Sequence, residues 1–497
     1  ANDHTLLIYT SKNLKDWTNV SSFGPANAVS GQWECPGIFP LPLDGHTNDV
    51  KWVAQVGSNP GGPNIGSGTQ YFVGSFNGTA FTADASSVYA AVGVPAGSSI
   101  IEDWEDTSSL GGSNAALNWT ASGDFFGITP VTGEDTVSNV LDTYFGADSN
   151  TGTITSTTFT INKAFINFRI AGGYFPYNPS TYGTASDTEN SFNLKVGGTV
   201  VRSATGQNSA TLTWQGWDVT NFLHRTAELE IADFNTGTEG WGHLIMGEIV
   251  FSESLAQDQQ ANWVDLGPDY YAAATYNGLP EYGRIAVGWA NNWEYGADIP
   301  TSPWRSSMST MRKYSLATID SKATLVQEPY NLAQIEHTIY AQTWENLPGS
   351  RFDLPVTGKA IDVTLTFNVI STGSSTPGDS TIRFLVRSSA DGSQATVIGY
   401  DASTQQLFVD RRNSGDVSFG SVFPGIYYAL LDPTEGKVTL RVLVDWSLVE
   451  VFGGLGESVI TAQIFPSDAN ESMALLYPAG AFKHVSITVK NVASTWK

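Results

Sequence analysis

The sequence predicts an all-β chain assembled from several β-sheet modules, and three observations carry that prediction. Short β-rich runs alternate with turn clusters along most of the length. The composition is turn-rich and charge-poor, with Gly 50, Pro 22 and only 14% charged residues among many Thr, Val, Tyr and Phe, a balance that favours pleated backbone with tight turns. Long helices are not apparent. At 497 residues the chain is long enough for two or three domains, each with its own core.

Residues 1–96 show the cadence of antiparallel blades: Leu6-Leu7-Ile8-Tyr9, then residues 51–56, then Gln70-Tyr71-Phe72-Val73. Asn77-Gly78 predicts a hairpin turn between residues 73–76 and Phe81-Thr82. These strands are too few to close a structure. Over 97–255 Asn, Thr and Ser rise, and strands such as residues 165–170 and 192–196 are separated by Gly-rich loops. That texture predicts an inserted β-sandwich. The blade pattern resumes over 256–335, with residues 284–289 as a buried strand, and a loop with a short helical patch is expected over about 321–350, its last part, 336–350, serving as linker. Residues 351–497 alternate apolar and polar in clean strands, among them 361–367 and 438–444, and predict a C-terminal β-sandwich.

Lys+Arg 24 against Asp+Glu 48 gives a net charge of -24, which repels phosphate backbones and anionic membrane surfaces. Nucleic acid and membrane are therefore not expected partners, and no apolar run reaches the length of a membrane span. The single cysteine, Cys35, has no partner for a disulfide. The six histidines show no metal-ligand spacing and no phosphate-cradling motif occurs, so neither a metal nor another cofactor is expected. Acceptor sequons at Asn19, Asn77, Asn118 and Asn470 predict a glycosylated, secreted protein.

The chemistry is expected in Gly31-Gln32-Trp33-Glu34-Cys35-Pro36-Gly37. A glutamate packed against an indole loses solvation of its charged form and holds a proton for delivery to a leaving oxygen. The residues alone leave a second reading open, in which Glu34 caps a turn or pairs with an arginine.

Trp33-Glu34-Cys35-Pro36 resembles the acid/base signature of glycoside hydrolase family 32, the invertase, inulinase and levanase family. Residues 9–17, Asn59-Pro60-Gly61-Gly62, residues 68–74, Asp269-Tyr270-Tyr271-Ala272-Ala273, residues 288–293 and 303–309 resemble further family motifs in the family's order. Asp445 to Gly454 resembles its C-terminal sandwich signature, where Asp445 and Glu450 are expected to be structural. The resemblance implies the later blades of a five-bladed β-propeller followed by a β-sandwich, and the insert resembles carbohydrate-binding modules. It implies a retaining β-fructofuranosidase or fructosyltransferase with Glu34 as general acid/base. Trp293 is the expected wall of the fructose site, Asn59 and Gln70 the expected loop contacts to a second sugar, and Asp269 a further pocket candidate or a buried turn anchor.

Retention needs a second carboxyl about 5 Å from the first. The family's Asn-Asp-Pro-Asn-Gly and Arg-Asp-Pro motifs do not occur in the sequence, and by resemblance both precede the residue numbered Ala1. The expectation is an N-terminal fragment of the same precursor that carries the nucleophilic aspartate and completes the propeller. Sucrose or a fructan is the expected substrate, and self-association into a homo-oligomer stays open. The reading from a different class is a non-catalytic sugar-binding protein.

Overall fold

A computed structural model describes residues 4–29, 32–64, 66–89, 97–104, 117–123, 131–132, 139–144, 146–179, 181–184, 188–206, 208–237, 241–253, 256, 261–279, 283–370, 381–420, 422–478 and 481–495. Ala1 and Gly31, named above, lie outside the described residues. The chain divides into two units, Ala1–Tyr89 with Ala261–Lys497, and Ala90–Gln260. Helix is confined, among the described residues, to single 3-10 turns at Ala85–Ser87, Thr220–Phe222 and Leu332–Gln334.

In the first unit, β1 (Leu6–Thr10) and β2 (Thr18–Phe23) form an antiparallel hairpin. β3 (Gln32–Leu43), β4 (His46–Asn59), β5 (Gly68–Phe76) and β6 (Phe81–Ala83) follow as an antiparallel meander. The expected hairpin at Asn77-Gly78 joins the last two. There the Asn77 side-chain oxygen accepts the backbone N–H groups of Thr79 and Ala80 at 2.9 and 2.8 Å, while Gly78 takes a φ of +95° that glycine adopts without a Cβ penalty. A second blade comprises Tyr271–Thr275, Arg284–Ala290, Arg312–Ile319 and Lys322–Pro329. Leu43 bridges Leu316 between the blades.

Period-two alternation sends neighbouring side chains of the β3–β5 blade to opposite faces, and along the middle of β4 and β5 both faces are buried. Phe39, Leu41, Val53, Tyr71 and Val73 pack with Tyr270, Tyr314, Leu316 and Leu325 of the second blade. On the other face Trp33, Ala54, Val56 and Phe72 pack with Leu6, Ile8 and Phe23 of the hairpin. Each such side chain contributes about 1.5–3 kcal/mol relative to exposure.

The C-terminal sandwich differs from expectation at its start. Residues 336–350 are not a linker: Glu336–Trp344 is a strand paired along Phe482–Val492 at the edge of one six-stranded sheet. Lys322–Pro329 likewise forms a strand where loop was expected, because Arg312–Ile319 supplies a full antiparallel partner. The second six-stranded sheet runs through Thr381–Ser388 and Thr396–Asp401, and the two sheets enclose an apolar core that includes Val363, Phe367, Phe384, Tyr400, Val442 and Ile487.

Two fully buried arginines join the second blade to this sandwich. Arg312 donates to Asp265 at 2.9 Å, to Glu450 at 2.6 Å and to Thr461 at 2.6 Å. Arg411 donates to Asp269 at 2.6 Å, to Tyr295 at 2.9 Å and to the Phe423 carbonyl at 2.7 Å.

The second unit is a β-sandwich of two six-stranded sheets. One contains Phe165–Gly172, Ser209–Asp218 and Leu244–Ser252, the other Gly152–Ser156, Asn190–Val196 and Thr226–Asp233. Phe168, Phe192, Trp217, Leu229 and Ile231 meet in the core, with the Phe192 and Trp217 rings stacked 4.9 Å apart.

Candidate active site

Glu34 lies on β3 opposite Gly57 of β4, and the ladder resumes with Gly37 opposite Gln55. Three steps on β3 therefore match two on β4, and Cys35-Pro36 bulge out, with Cys35 at a φ of +51°. Proline has no N–H to give the ladder, so a bulge is where a strand tolerates it, and a bulge re-aims the side chains beside it.

The aromatic wall is not the expected one. Trp33, adjacent to Glu34, points to the opposite face by strand alternation, where it packs near Phe72 and its indole N–H donates to the Ala28 carbonyl at 2.7 Å. The wall of Glu34 is Tyr271, whose hydroxyl donates to the Glu34 Oε2 at 2.7 Å. Tyr271 reaches across because position 57 has no side chain: a Cβ there would sit 2.8 Å from the tyrosine ring. Burial first, and then the Glu34 carboxylate, hold the Tyr271 phenol far above its ordinary range, so it stays protonated as a donor. Burial and the Glu34 charge also push the Cys35 thiol up, which keeps it a thiol rather than a thiolate nucleophile.

From Tyr271 an aromatic row leads outward. Trp289 sits opposite Tyr271 across the strand pair, with ring centroids 6.5 Å apart, and Trp293 follows 5.1 Å beyond Trp289. Trp293 is 63% exposed. The rim is tied together by Ser67, whose hydroxyl donates to Asn59 at 3.1 Å and accepts the Trp293 N–H at 3.2 Å. Asn292 accepts the backbone N–H groups of Ser67 and Glu294. Glu294 adds a second half-buried carboxyl to this rim, pushed above the usual carboxylate range by burial. The arrangement offers a carboxyl held by a neutral donor, beside a shelf of aromatic faces. Such a shelf accepts the flat C–H face of a sugar, and the carboxyl exchanges a proton with an oxygen presented to it.

Two expected contacts lie elsewhere. Gln70 is on strand β5 rather than a loop and is fully buried, with its amide donating to the Ala28 carbonyl at 2.6 Å and accepting the Ala28 N–H at 3.2 Å. Both ends are spent on holding backbone, so none remains for a sugar. Asp269 is fully buried as well, accepting from Arg411 at 2.6 Å, Tyr295 at 2.5 Å and the Gln463 N–H at 2.8 Å. It anchors the blade to the sandwich. Of the sequons, Asn19, Asn77 and Asn118 are exposed, but Asn470 is only 5% exposed and its amide nitrogen donates to Gln394 at 3.1 Å, leaving no room for a glycan. Among the described residues no group of three or more His, Cys, Asp or Glu is arranged to hold a metal ion.

Sequence reasoning missed Tyr271, Trp289 and Glu294. Tyr271 stood inside the quoted motif 269–273, where the acidic residue drew attention first. The available signal was the pair Tyr270-Tyr271, whose rings strand alternation sends to opposite faces of the blade.

The N-terminal domain of glycosyl hydrolases family 32 matches residues 1–99 and 229–329, and the family's C-terminal domain matches 324–491. A putative glycosyl hydrolase of Aspergillus rugulosus is 44% identical over 99% of this chain and 69% of its own length. This chain belongs to glycosyl hydrolase family 32. Within family 32, the extracellular exo-inulinase of Aspergillus niger is 33% identical over 99% of this chain and 61% of its own. The crystal structure of exo-inulinase from Aspergillus awamori superposes with a TM-score of 0.62 at 33% identity, covering all of this chain and 64% of that one. The β-fructofuranosidase of Schwanniomyces occidentalis, at 18% identity and a TM-score of 0.58, shares the fold over 99% of this chain and 65% of its own. The chain thus spans about two thirds of the length of these relatives.

Proposed function

We propose that the chain is the larger, C-terminal portion of a secreted, retaining β-fructofuranosidase or fructosyltransferase acting on sucrose or fructans, with Glu34 as general acid/base. The observation that carries this reading is the Glu34–Tyr271 pair at the base of the aromatic row ending in Trp293. Glu34 protonates the oxygen leaving the anomeric carbon while a second carboxylate attacks that carbon, and Glu34 then deprotonates the water or sugar hydroxyl that releases the fructosyl group. Tyr271 orients the Glu34 carboxyl, and Trp289 and Trp293 stack on the sugar.

The nucleophile comes from outside these 497 residues, on an N-terminal fragment of the same precursor. Exposed Leu7, Tyr9 and Val20 on the β1–β2 hairpin, with Leu14 and Trp17 in its turn, provide the apolar surface that fragment covers. Extracellular exo-inulinases among the relatives support secretion. The test uses the native protein. Glu34→Gln lowers turnover on sucrose or inulin by roughly 10²–10⁴ without loss of fold, NMR finds the released fructose first as the β-anomer, and mass spectrometry finds the nucleophile-bearing polypeptide. Near-normal turnover in Glu34→Gln sinks the assignment, and a single inactive species of this chain alone sinks the two-part arrangement.

A further inference from the structure

We infer that the inserted sandwich carries a carbohydrate-binding site of its own, formed by Tyr144, Asp148, Trp241 and His243. In this unit the other described tryptophans, among them Trp104, Trp119 and Trp217, are buried or half-buried in or near the core, whereas Trp241 is 37% and Tyr144 42% exposed. These two rings bracket His243, with centroids 5.8 Å away at an interplanar angle of 36° and 5.4 Å away at 68°. His243 Nδ1 lies 2.6 Å from the Asp148 carboxylate. That contact fixes the imidazole, and its Nε2 has no protein partner among the described residues.

The backbone is shaped to make this arrangement. Gly237, at a φ of +69°, lies so close that a Cβ would be 2.3 Å from the Asp148 Cβ, and one on Gly242 would be 2.9 Å from the same atom. Trp241 itself has a φ of +57°, a left-handed conformation that a residue with a Cβ rarely adopts. A large apolar ring held partly in solvent is what a binding site maintains and a core does not.

The occupant has to present flat apolar faces to two rings and hydroxyls to an oriented imidazole and carboxylate, which is the chemistry of a pyranose or furanose unit. Nucleobases also stack, but Asp142 and Asp233 both feel the Asp148 charge, and this acidic neighbourhood repels phosphate. A protein partner needs a far larger apolar patch than two rings. A polysaccharide is therefore the ligand, and fructans are the first choice because of the activity proposed above.

The experiment is electrophoresis of the full native protein in gels containing inulin, levan or a β-glucan, with sucrose hydrolysis as a separate readout. Retardation by at least one polysaccharide is expected, with Trp241→Ala and Tyr144→Ala each weakening it roughly tenfold and sucrose turnover unchanged. Trp241→Phe keeps a ring in place and retains most of the binding, which separates a lost stacking face from a lost fold. No retardation of the wild type, or equal retardation of wild type and both alanine variants, overturns the site. Equal loss in Trp241→Phe and Trp241→Ala overturns it too. Failure on sucrose with retention on the gels rejects the proposed activity and leaves the site standing.

Discussion

Glu34 and Asp269 are acidic residues of the same pair of blades, and their surroundings differ in one respect that separates chemistry from architecture. Asp269 is fully buried and matched by the Arg411 guanidinium, with a tyrosine and a backbone N–H completing its shell. Glu34 is half-buried and receives, among the described residues, a single neutral donor, Tyr271. A carboxylate locked to a guanidinium in the interior cannot exchange its proton without leaving a buried charge unpaired. One held by a phenol, open on its other side, can. An acid is available for catalysis where the fold leaves its pairing incomplete, and structural where the fold completes it.

The comparison breaks most sharply at Arg411. Arg411→Met leaves Asp269 buried without its counter-charge and is expected to cost about 3–5 kcal/mol of stability, read from a shifted denaturant midpoint, while turnover per folded molecule is preserved. A fall in turnover with unchanged stability would assign Asp269 to the site after all.

Asp233 of the insert extends the comparison, being a fully buried carboxyl whose hydrogen-bond donors are neutral. Burial foremost, with Asp148 and Asp142 adding to it, raises its pKa to about 8 against donors from Thr143 and Asn235. A folded-state value above the unfolded one means that the folded form binds the extra proton, so stability falls as pH rises from about 4 to about 8 and is flat beyond. The loss is on the order of a few kcal/mol. Asp233→Asn should flatten the melting profile of the insert across that window, and an unchanged slope would show that Asp233 is ionised in the fold.

At the site itself, Tyr271→Phe removes one hydrogen bond and keeps the ring. Turnover should drop roughly ten- to a hundredfold, the worth of a lost hydrogen bond to a charged carboxylate of about 1.5–3 kcal/mol, with KM little changed because the aromatic row persists. A loss as large as that of Glu34→Gln would make Tyr271 a proton donor to substrate instead of an orienting group. The smallest effect is expected at Trp293, where Ala removes an exposed ring. KM should rise several-fold on the stacking argument, without a measurable change in thermal stability, and an unmoved KM would place the sugar elsewhere.

Much of the architecture was legible in the chain because β-structure writes itself locally. Alternation identified residues 361–367 and 438–444, and Asn77-Gly78 marked a hairpin, since side-chain period and turn conformation depend on neighbours a few residues away. Glu34 stood out through the local run Trp33-Glu34-Cys35-Pro36, but the bulge at Cys35 and Pro36 that re-aims it is set by pairing with β4. The misreadings share the opposite property. Whether residues 336–344 become a strand depends on Phe482–Val492, and whether Asn470 takes a glycan depends on burial against Gln394.

By itself, then, the sequence determined an all-β chain, its modules and the carboxyl at which to look. Tertiary structure alone decided which aromatic faces Glu34, placing Tyr271 there from 237 positions away, and which acid is sealed, by bringing Arg411 to Asp269 across 142 positions. The physical reason is that strand alternation assigns a side chain to a face, but only the pairing of distant strands supplies what lies opposite. Hydrogen bonding and charge compensation are set by that opposite partner.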